Sequence, residues 1–346
     1  MSISTFLVLT ALVFQAYSSP TGKICDGNKV VNYHPTGFVF PSGWSTDQPA
    51  PLIYPGQDCV WTVTVPDRKI ARVEVVGKIG SGKNNIQAYN GIGDIDASSE
   101  ENLIPYFFST PKFNMRILAD KDSSDTFGFK ITWVDYPTGG SEIELTGSEM
   151  VVTNTSTFSG PTFIYAPAHP SAVIIPANPN ELRTLRSTLV FDGPTVTMLM
   201  MGSLLQIYKT GNQLHGGQQS IAMMNMNPTS GPQDQVVFQE YYYTKNFASH
   251  TGLSCSQDGK CSASSVGSKT EQTAYVSASS SQDTLVAATI EDNASLSIYN
   301  GTVTPNNLLI SINAADLQAA LPLSFPGYIK QYVVSAGSSN LQVTRK

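Results

Sequence analysis

Residues 58–65 read DCVWTVTV, and residues 115–133 read MRILADKDSSDTFGFKITW. In the first stretch Cys59, Trp61, Val63 and Val65 fall on one face of an extended chain, and Val60, Thr62 and Thr64 fall on the other. That period of two is the pattern of a half-buried strand. In the second stretch Met115 and Ile117 repeat it briefly. After a polar turn at Asp120–Asp125, Phe127, Phe129, Ile131 and Trp133 share a face opposite Gly128, Lys130 and Thr132. Between the two, IARVEVV (70–76) sets Ala71, Val73 and Val75 against Arg72 and Glu74. Turn signals at Pro66-Asp67, Gly80–Asn85 and Asn90-Gly91 separate these segments, and the spacing points to a β-sandwich.

The surrounding composition agrees. The chain has 346 residues, long enough for two or three domains, with 41% hydrophobic and 10% aromatic residues, which argues against disorder. Only 13% are charged, the net charge is −6 and no run of Lys or Arg occurs, which argues against a nucleic-acid partner. Gly, Pro, Ser, Thr, Asn and Val are plentiful, as in short strands joined by turns.

The chain opens MSISTFLVLTALVFQAYSSP. Phe6–Phe14 is an apolar run of signal-peptide length, too short to cross a bilayer. Ala16 and Ser18 stand at −3 and −1 for cleavage after Ser18, so residues 1–18 are read as a signal peptide, although no Lys or Arg precedes the run. Met198–Leu205 is the next apolar run; it is short and broken by Gly202-Ser203, and the polar tail NLQVTRK carries no lipid-anchor signal. The expectation is a secreted, extracellular protein with no membrane span.

The four cysteines, Cys25, Cys59, Cys255 and Cys261, suit disulfides in an exported chain. Three pairings exist. Cys25–Cys59 with Cys255–Cys261 is the most economical, contributing about 4 and about 2 kcal/mol on the chain-entropy model. Asp258-Gly259, inside the shorter loop, marks a stapled hairpin tip. The spacing matches no usual zinc pattern. Asn154, Asn293 and Asn300 begin Asn-x-Ser/Thr sequons and are candidate glycan sites; Asn300-Gly301 also reads as the centre of a tight turn.

Four motifs in order, Cys25, CVWTVTVP from Cys59, IQAYNG from Ile86 and MRILADKDSSDTFGFKITW from Met115, resemble a CUB domain over residues 23–136. With no second cysteine pair within residues 23–136, the resemblance is closest to the divergent CUB-like proteins expanded in nematodes. It implies a CUB-like β-sandwich of jelly-roll type that keeps the first disulfide. It also implies recognition of protein or carbohydrate ligands through loops, in host defence as an innate immune or stress response. Some CUB domains bind calcium through three acids. Asp120 matches one of them, Asn84 stands near another, and the loop 77–83 offers none, so no metal and no cofactor are expected; Asp120, Asp122 and Asp125 read as a solvated turn.

The rest of the chain reads as further antiparallel β-sandwich, so the whole is mainly β. SLLQIYKTG around Tyr208 and ASLSIYNG around Tyr299 echo NIQAYNG around Tyr89, and strand-like segments follow each: FGFKITW, VVFQEYYY and IKQYVVS. Two readings compete. In one, residues 137–250 and 251–346 are a second CUB-like region and a partial third repeat; in the other, one CUB-like domain precedes a C-terminal β domain. Five prolines between Pro161 and Pro179 mark that stretch as loop or edge, and the one helix expected is Asn313–Leu321, capped by Asn313 and ended by Pro322.

Catalytic residues are not evident. His34, His169, His215 and His250 show no metal spacing, and LHGGQQS near His215 lacks a nucleophile elbow and reads as a glycine-rich turn. Glu100 and Glu101 stand in what reads as a polar loop, which would not desolvate an acid. The favoured reading is therefore a binding protein with no enzymatic activity whose partner is an extracellular protein or glycan. An extracellular matrix protein is the alternative, and a secreted hydrolase ranks behind both.

Overall fold

Trp61 lies where the alternation of its strand puts it, inside a cluster of rings. It is 1% exposed. Its ring centroid lies 4.8 Å from Phe40, 4.9 Å from Phe129 edge-on and 5.9 Å from Phe127. The structure is a computed structural model and describes residues 24–25, 29–80, 85–121, 124–211, 213–228, 234–256, 258–267, 269–279 and 282–345. The segment 1–18 expected to be a signal peptide, Asn84 and Asp122 lie outside the described residues.

Among the described residues six sheets form three pairs. The first pair uses β1 (Lys29–Val31), β2 (Phe38–Phe40), β3 (Asp58–Thr64), β4 (Lys69–Lys78), β5 (Ile86–Tyr89), β6 (Ile95–Ser98), β7 (Glu100–Asn102), β8 (Tyr106–Phe108), β9 (Lys112–Leu118) and β10 (Thr126–Asp135). The second uses β11 (Ser141–Glu144), β12 (Val151–Asn154), β13 (Thr162–Tyr165), β14 (Pro170–Ile175), β15 (Thr188–Asp192), β16 (Met200–Ser203), β17 (Leu214–His215), β18 (Ser220–Asn225) and β19 (Gln235–Glu240). The third uses β20 (Phe247–Gly252), β21 (Lys260–Ser265), β22 (Gln272–Ala278), β23 (Asp283–Ile290), β24 (Ser295–Asn300), β25 (Leu308–Asn313), β26 (Leu323–Phe325), β27 (Ile329–Val334) and β28 (Ser339–Arg345).

One topology recurs in all three units. The first sheets run β1-β3-β9-β5-β6, β11-β13-β18-β15-β16 and β20-β22-β27-β24-β25. The second sheets run β2-β10-β4-β7, β12-β19-β14-β17 and β21-β28-β23-β26. Counted from the start of each unit, the same positions are neighbours every time, save that unit one adds β8 beside β4. In each unit the first strand runs parallel to the third, and the remaining pairs are antiparallel.

The units stack face to face. Inward residues of each pair make three cores, around Trp61, Phe238 and Tyr332. Two further apolar seams join the units. In the first seam Ile70 and Phe107 of unit one meet Leu189, Phe191, Ala222 and Met224 of unit two. In the second, Val173, Ile175 and Val237 of unit two meet Val276 and Ala278 of unit three. The middle sheets are therefore covered on both sides, which is why PSAVII, SIAMMN and TLVFD read as continuous apolar or small runs. At the two ends of the stack one face meets water. There β3 and β9 alternate strictly, and β28 exposes Asn340 and Gln342. The outer faces at both ends of the stack are polar, like those of capping repeats.

The structure departs from the sequence expectations in three places. The five-proline stretch is not loop or edge: β13 lies between β11 and β18, and β14 between β19 and β17. Its prolines stand beside the strands, and Pro170 begins β14, a position that needs no ladder donor. SLLQIYKTG is not a strand but the helix α1 (Leu204–Thr210). Ser203 accepts from the Gln206 amide while the Gln206 side chain accepts from the Ser203 amide, and Gly211 at φ +65° closes the far end; this local capping outweighs the alternation. The expected helix is present as α2 (Ala314–Ala320), one of two α-helices among the described residues, and its N-cap Asn313 makes no side-chain capping bond. Both helices follow the sixth strand of their unit. The true fifth-strand set is β5, β15 and β24; among the following segments, FGFKITW and VVFQE end their units, whereas IKQYVV is the last strand but one.

Candidate functional site

The structure joins Cys25 to Cys59 and Cys255 to Cys261. The second bond closes a turn in which Gly259 takes φ +76° and Cys255 bridges Cys261. Asp125 is buried and closes the late turn of unit one: its carboxylate accepts from the Gly80 amide at 2.7 Å and from the Asp120 amide at 2.8 Å. Among the described residues no three His, Cys, Asp or Glu side chains converge as a metal site would need. No helix among them is long and apolar enough to cross a membrane. His34 meets Thr36 on an exposed turn, and His169 and His215 flank Tyr241 with centroids 6.2 and 5.3 Å away. Asn293 and Asn300 are exposed, while Asn154 at the end of β12 is half-buried. The structure brings none of the three together.

The first seam holds a charge cluster that the sequence reading missed. Arg186 ends a short 3-10 turn (Leu182–Ser187) and enters the interface with unit one. Its Nε donates to Asp96 Oδ2 at 2.6 Å, and its two Nη groups donate to the Glu101 carboxylate at 3.1 and 3.2 Å. The guanidinium lies 3.7 Å from the centroid of Tyr106, whose hydroxyl donates to Glu101 Oε1 at 2.8 Å. Lys209 on α1 reaches the other Asp96 oxygen at 3.0 Å. Burial works against the charge on Arg186, but Tyr106, Asp96 and Glu101 outweigh it and hold the group above its usual range. Glu101 therefore does not sit in a polar loop. It lies on β7 with a fully buried side chain, desolvated but paired. The groove above this cluster, between units one and two, contains Arg183 and Lys209, both already engaged by unit one.

The second seam is neutral. His250 on β20 is 4% exposed; its Nε2 lies 3.2 Å from Gln331 Oε1 and 3.4 Å from Gln239 Nε2. Gln331 Nε2 in turn donates to Gln239 Oε1 at 3.4 Å and to the Gly301 carbonyl at 3.1 Å. Burial pulls His250 down to about 4. Beside the triad opens a cleft of about 310 Å³ between β14 and α1 on one side and β20 and β21 on the other. The units close tightly at its floor: a Cβ on Gly252 would meet the Ile174 carbonyl oxygen at 2.4 Å. The core of unit three holds a last ionic group, with Asp283 between Lys330 at 3.4 Å and Arg345 at 3.4 Å. It ties the two sheets of that unit together. Burial pushes Lys330 down, and Asp283 opposes the shift.

Residues 15–137 match the family described as CUB-like domain. The chain carries a CUB-like domain. Beyond it, residues 145–226 and 242–346 match two families described as domains of unknown function, DUF7592 and DUF7591. No curated protein matches the chain. Among solved structures it is similar to the CUB1-EGF-CUB2 region of human MASP-1/3, at 11% identity over 59% of this chain and 98% of that one, with a TM-score of 0.23. The corresponding rat MASP-1 region gives 8%, 62% and 100%, with a TM-score of 0.24. The extracellular region of zebrafish Gpr126/Adgrg6 gives 8%, 92% and 52%, with a TM-score of 0.25. The CUB-like domain coincides with unit one, whose disulfide, Trp61 core and late Asp/Ser turn are the features the sequence motifs mark.

Proposed function

We propose that the chain is a secreted binding protein that recognises an extracellular protein or glycan. The observation that carries the reading is the CUB-like domain, a family of generally non-catalytic, often protein-binding modules, packed at one end of the stack. Residues 1–18 are its signal peptide. The regions expected at 137–250 and 251–346 are further CUB-like units in this reading, with the boundary moved back to residue 246 because β20 (Phe247–Gly252) pairs within unit three; the threefold recurrence of one strand order supports it. Asn154, Asn293 and Asn300 carry glycans in this reading, and Asn293 and Asn300 are exposed. Its sequence motifs point to the nematode-type branch of the family and, with it, to host defence or stress at epithelial surfaces. The reading assigns no catalytic, cofactor or metal role to any residue.

Purified mature protein, screened against microbial surfaces, glycan arrays and extracellular proteins, tests this. Saturable binding that changes with substitutions in the unit-one loops, and survives Cys255→Ser, is the expected result. Turnover of a sugar or peptide in place of binding would sink it.

A further inference from the structure

The cleft between units two and three is bounded by strand edges. Ser262, Ala263 and Ser264 of β21 all line it, as do Ala172, Val173 and Ile174 of β14. A cleft on a sheet face touches alternate residues, so consecutive ones mark the open side of a strand. The topology agrees. Among the described residues β21 has β28 on one side and no strand on the other, and β17 pairs with β14 at Ser171 and Ala172 only. The Arg345 amide donates to the Gly259 carbonyl, one step beyond the β21–β28 ladder. By alternation from that bond, Cys261, Ala263 and Ser265 turn their main-chain groups toward β28, and Ser262 and Ser264 turn theirs to the open side. Ser262 and Ser264 are both exposed.

Exposed edges are ordinarily blunted by charge, proline or a bulge. From Cys261 to Ser265 β21 carries no charged residue and no proline, and its register with β28 is unbroken. Lys260, at its start, is held by Asp258 at 3.0 Å. No Asp, Glu, Lys or Arg lines the cleft, whose volume is about 310 Å³. With β14 as the facing wall, a second folded sheet cannot come alongside β21, but a single extended segment can. We propose that the cleft binds an uncharged, extended peptide segment of a partner protein, added as a strand to the open edge of β21 and bonded to the main-chain groups of Ser262 and Ser264. Charged side chains are disfavoured because nothing in the walls would pair them. The site lies outside the CUB-like domain and goes beyond the loop-mediated binding read above.

A displayed library of random octapeptides, selected on the full mature chain, supplies the probes, and the selected sequences are synthesised with capped ends. The expected peptides bind saturably, carry no charge at their central positions and slow amide exchange at Ser262 and Ser264, read by mass spectrometry on fragments covering β21. N-methylation of alternate amides along one peptide edge weakens binding at least about tenfold more than the same change along the other edge, as a strand paired on one side requires. Ser264→Lys, at an exposed position, keeps the melting temperature and weakens binding by about tenfold. Ser264→Pro, which removes an amide donor outside the β28 ladder, does the same. A selection that yields no peptide protecting β21 would overturn the proposal. So would equal tolerance of N-methylation on both edges, or full affinity in Ser264→Lys. Protection of β21 that rises with protein concentration alone, with a doubled mass in sedimentation, would place a second copy at this edge and overturn it as well. Binding through the unit-one loops persists in Ser264→Lys, so the two readings fail separately.

Discussion

The two seams that hold the stack together solve the same problem with opposite chemistry. Both bury an apolar sheet face against another. The first adds a guanidinium clamped by two carboxylates and a tyrosine ring, with a lysine behind. The second adds an imidazole between two glutamines. A buried charge is strongly directional and is costly when one partner is lost; a neutral triad costs less to break but is sensitive to a single proton. The first seam should therefore fail by mutation and the second by acid.

The largest effect is expected at Arg186. Arg186→Leu leaves Asp96 and Glu101 buried with only Lys209 and the distant edge of Arg183 as counter-charges, so stability falls by about 3–5 kcal/mol, read from urea denaturation at neutral pH. Glu101→Gln, which keeps the acceptor for the Tyr106 hydroxyl, costs less than Arg186→Leu; equal losses would show that the guanidinium's charge is not the issue.

Acid acts next. His250 takes up a proton near 6.5 in the unfolded chain and only near about 4 in the fold. Between these values the unfolded state binds more protons, so stability is complete above pH 6.5 and falls as pH drops toward 4, by roughly 3 kcal/mol. Urea midpoints across this range measure it, and His250→Phe flattens the part of the slope due to this residue. A smaller loss, roughly 2 kcal/mol, follows replacement of both Cys255 and Cys261 by Ser, because their loop is short. The smallest is at Arg116, whose pair with Asp58 lies on the solvent face of unit one with both side chains a third or more exposed. Arg116→Ala changes thermal stability by less than about 1 kcal/mol, and the difference shrinks with added salt.

The same contrast explains what could be read from sequence. Strands β3 and β9 border solvent, so Cys59, Trp61, Val63, Met115 and Ile117 alternate visibly with polar neighbours. The final strand of unit one gave Phe127, Phe129 and Ile131 in the same way. Strands β14, β15 and β18 are buried on both faces and lose the alternation, and the prolines around β14 then read as loop. In SLLQIYKTG the parity was accidental, because a Ser203–Gln206 capping box and Gly211 fix a helix there. The polar cluster was invisible for a different reason. Asp96, Glu101 and Arg186 stand 85 or more residues apart across the seam, and only the stacking makes them neighbours. Of the four histidines, His250 had no spacing to mark it, since its partners Gln239 and Gln331 come from two different units.

The account rests on a stack with two unlike seams, and hydrogen exchange followed by mass spectrometry at pH 7 and pH 4.5, corrected for intrinsic rates, tests it most directly. The expected result is that peptides covering β14, β19, β22 and β27 lose protection at pH 4.5 while those covering β4, β15 and β18 keep theirs. Loss of protection at the Arg186 seam first, or at both seams together, would contradict it.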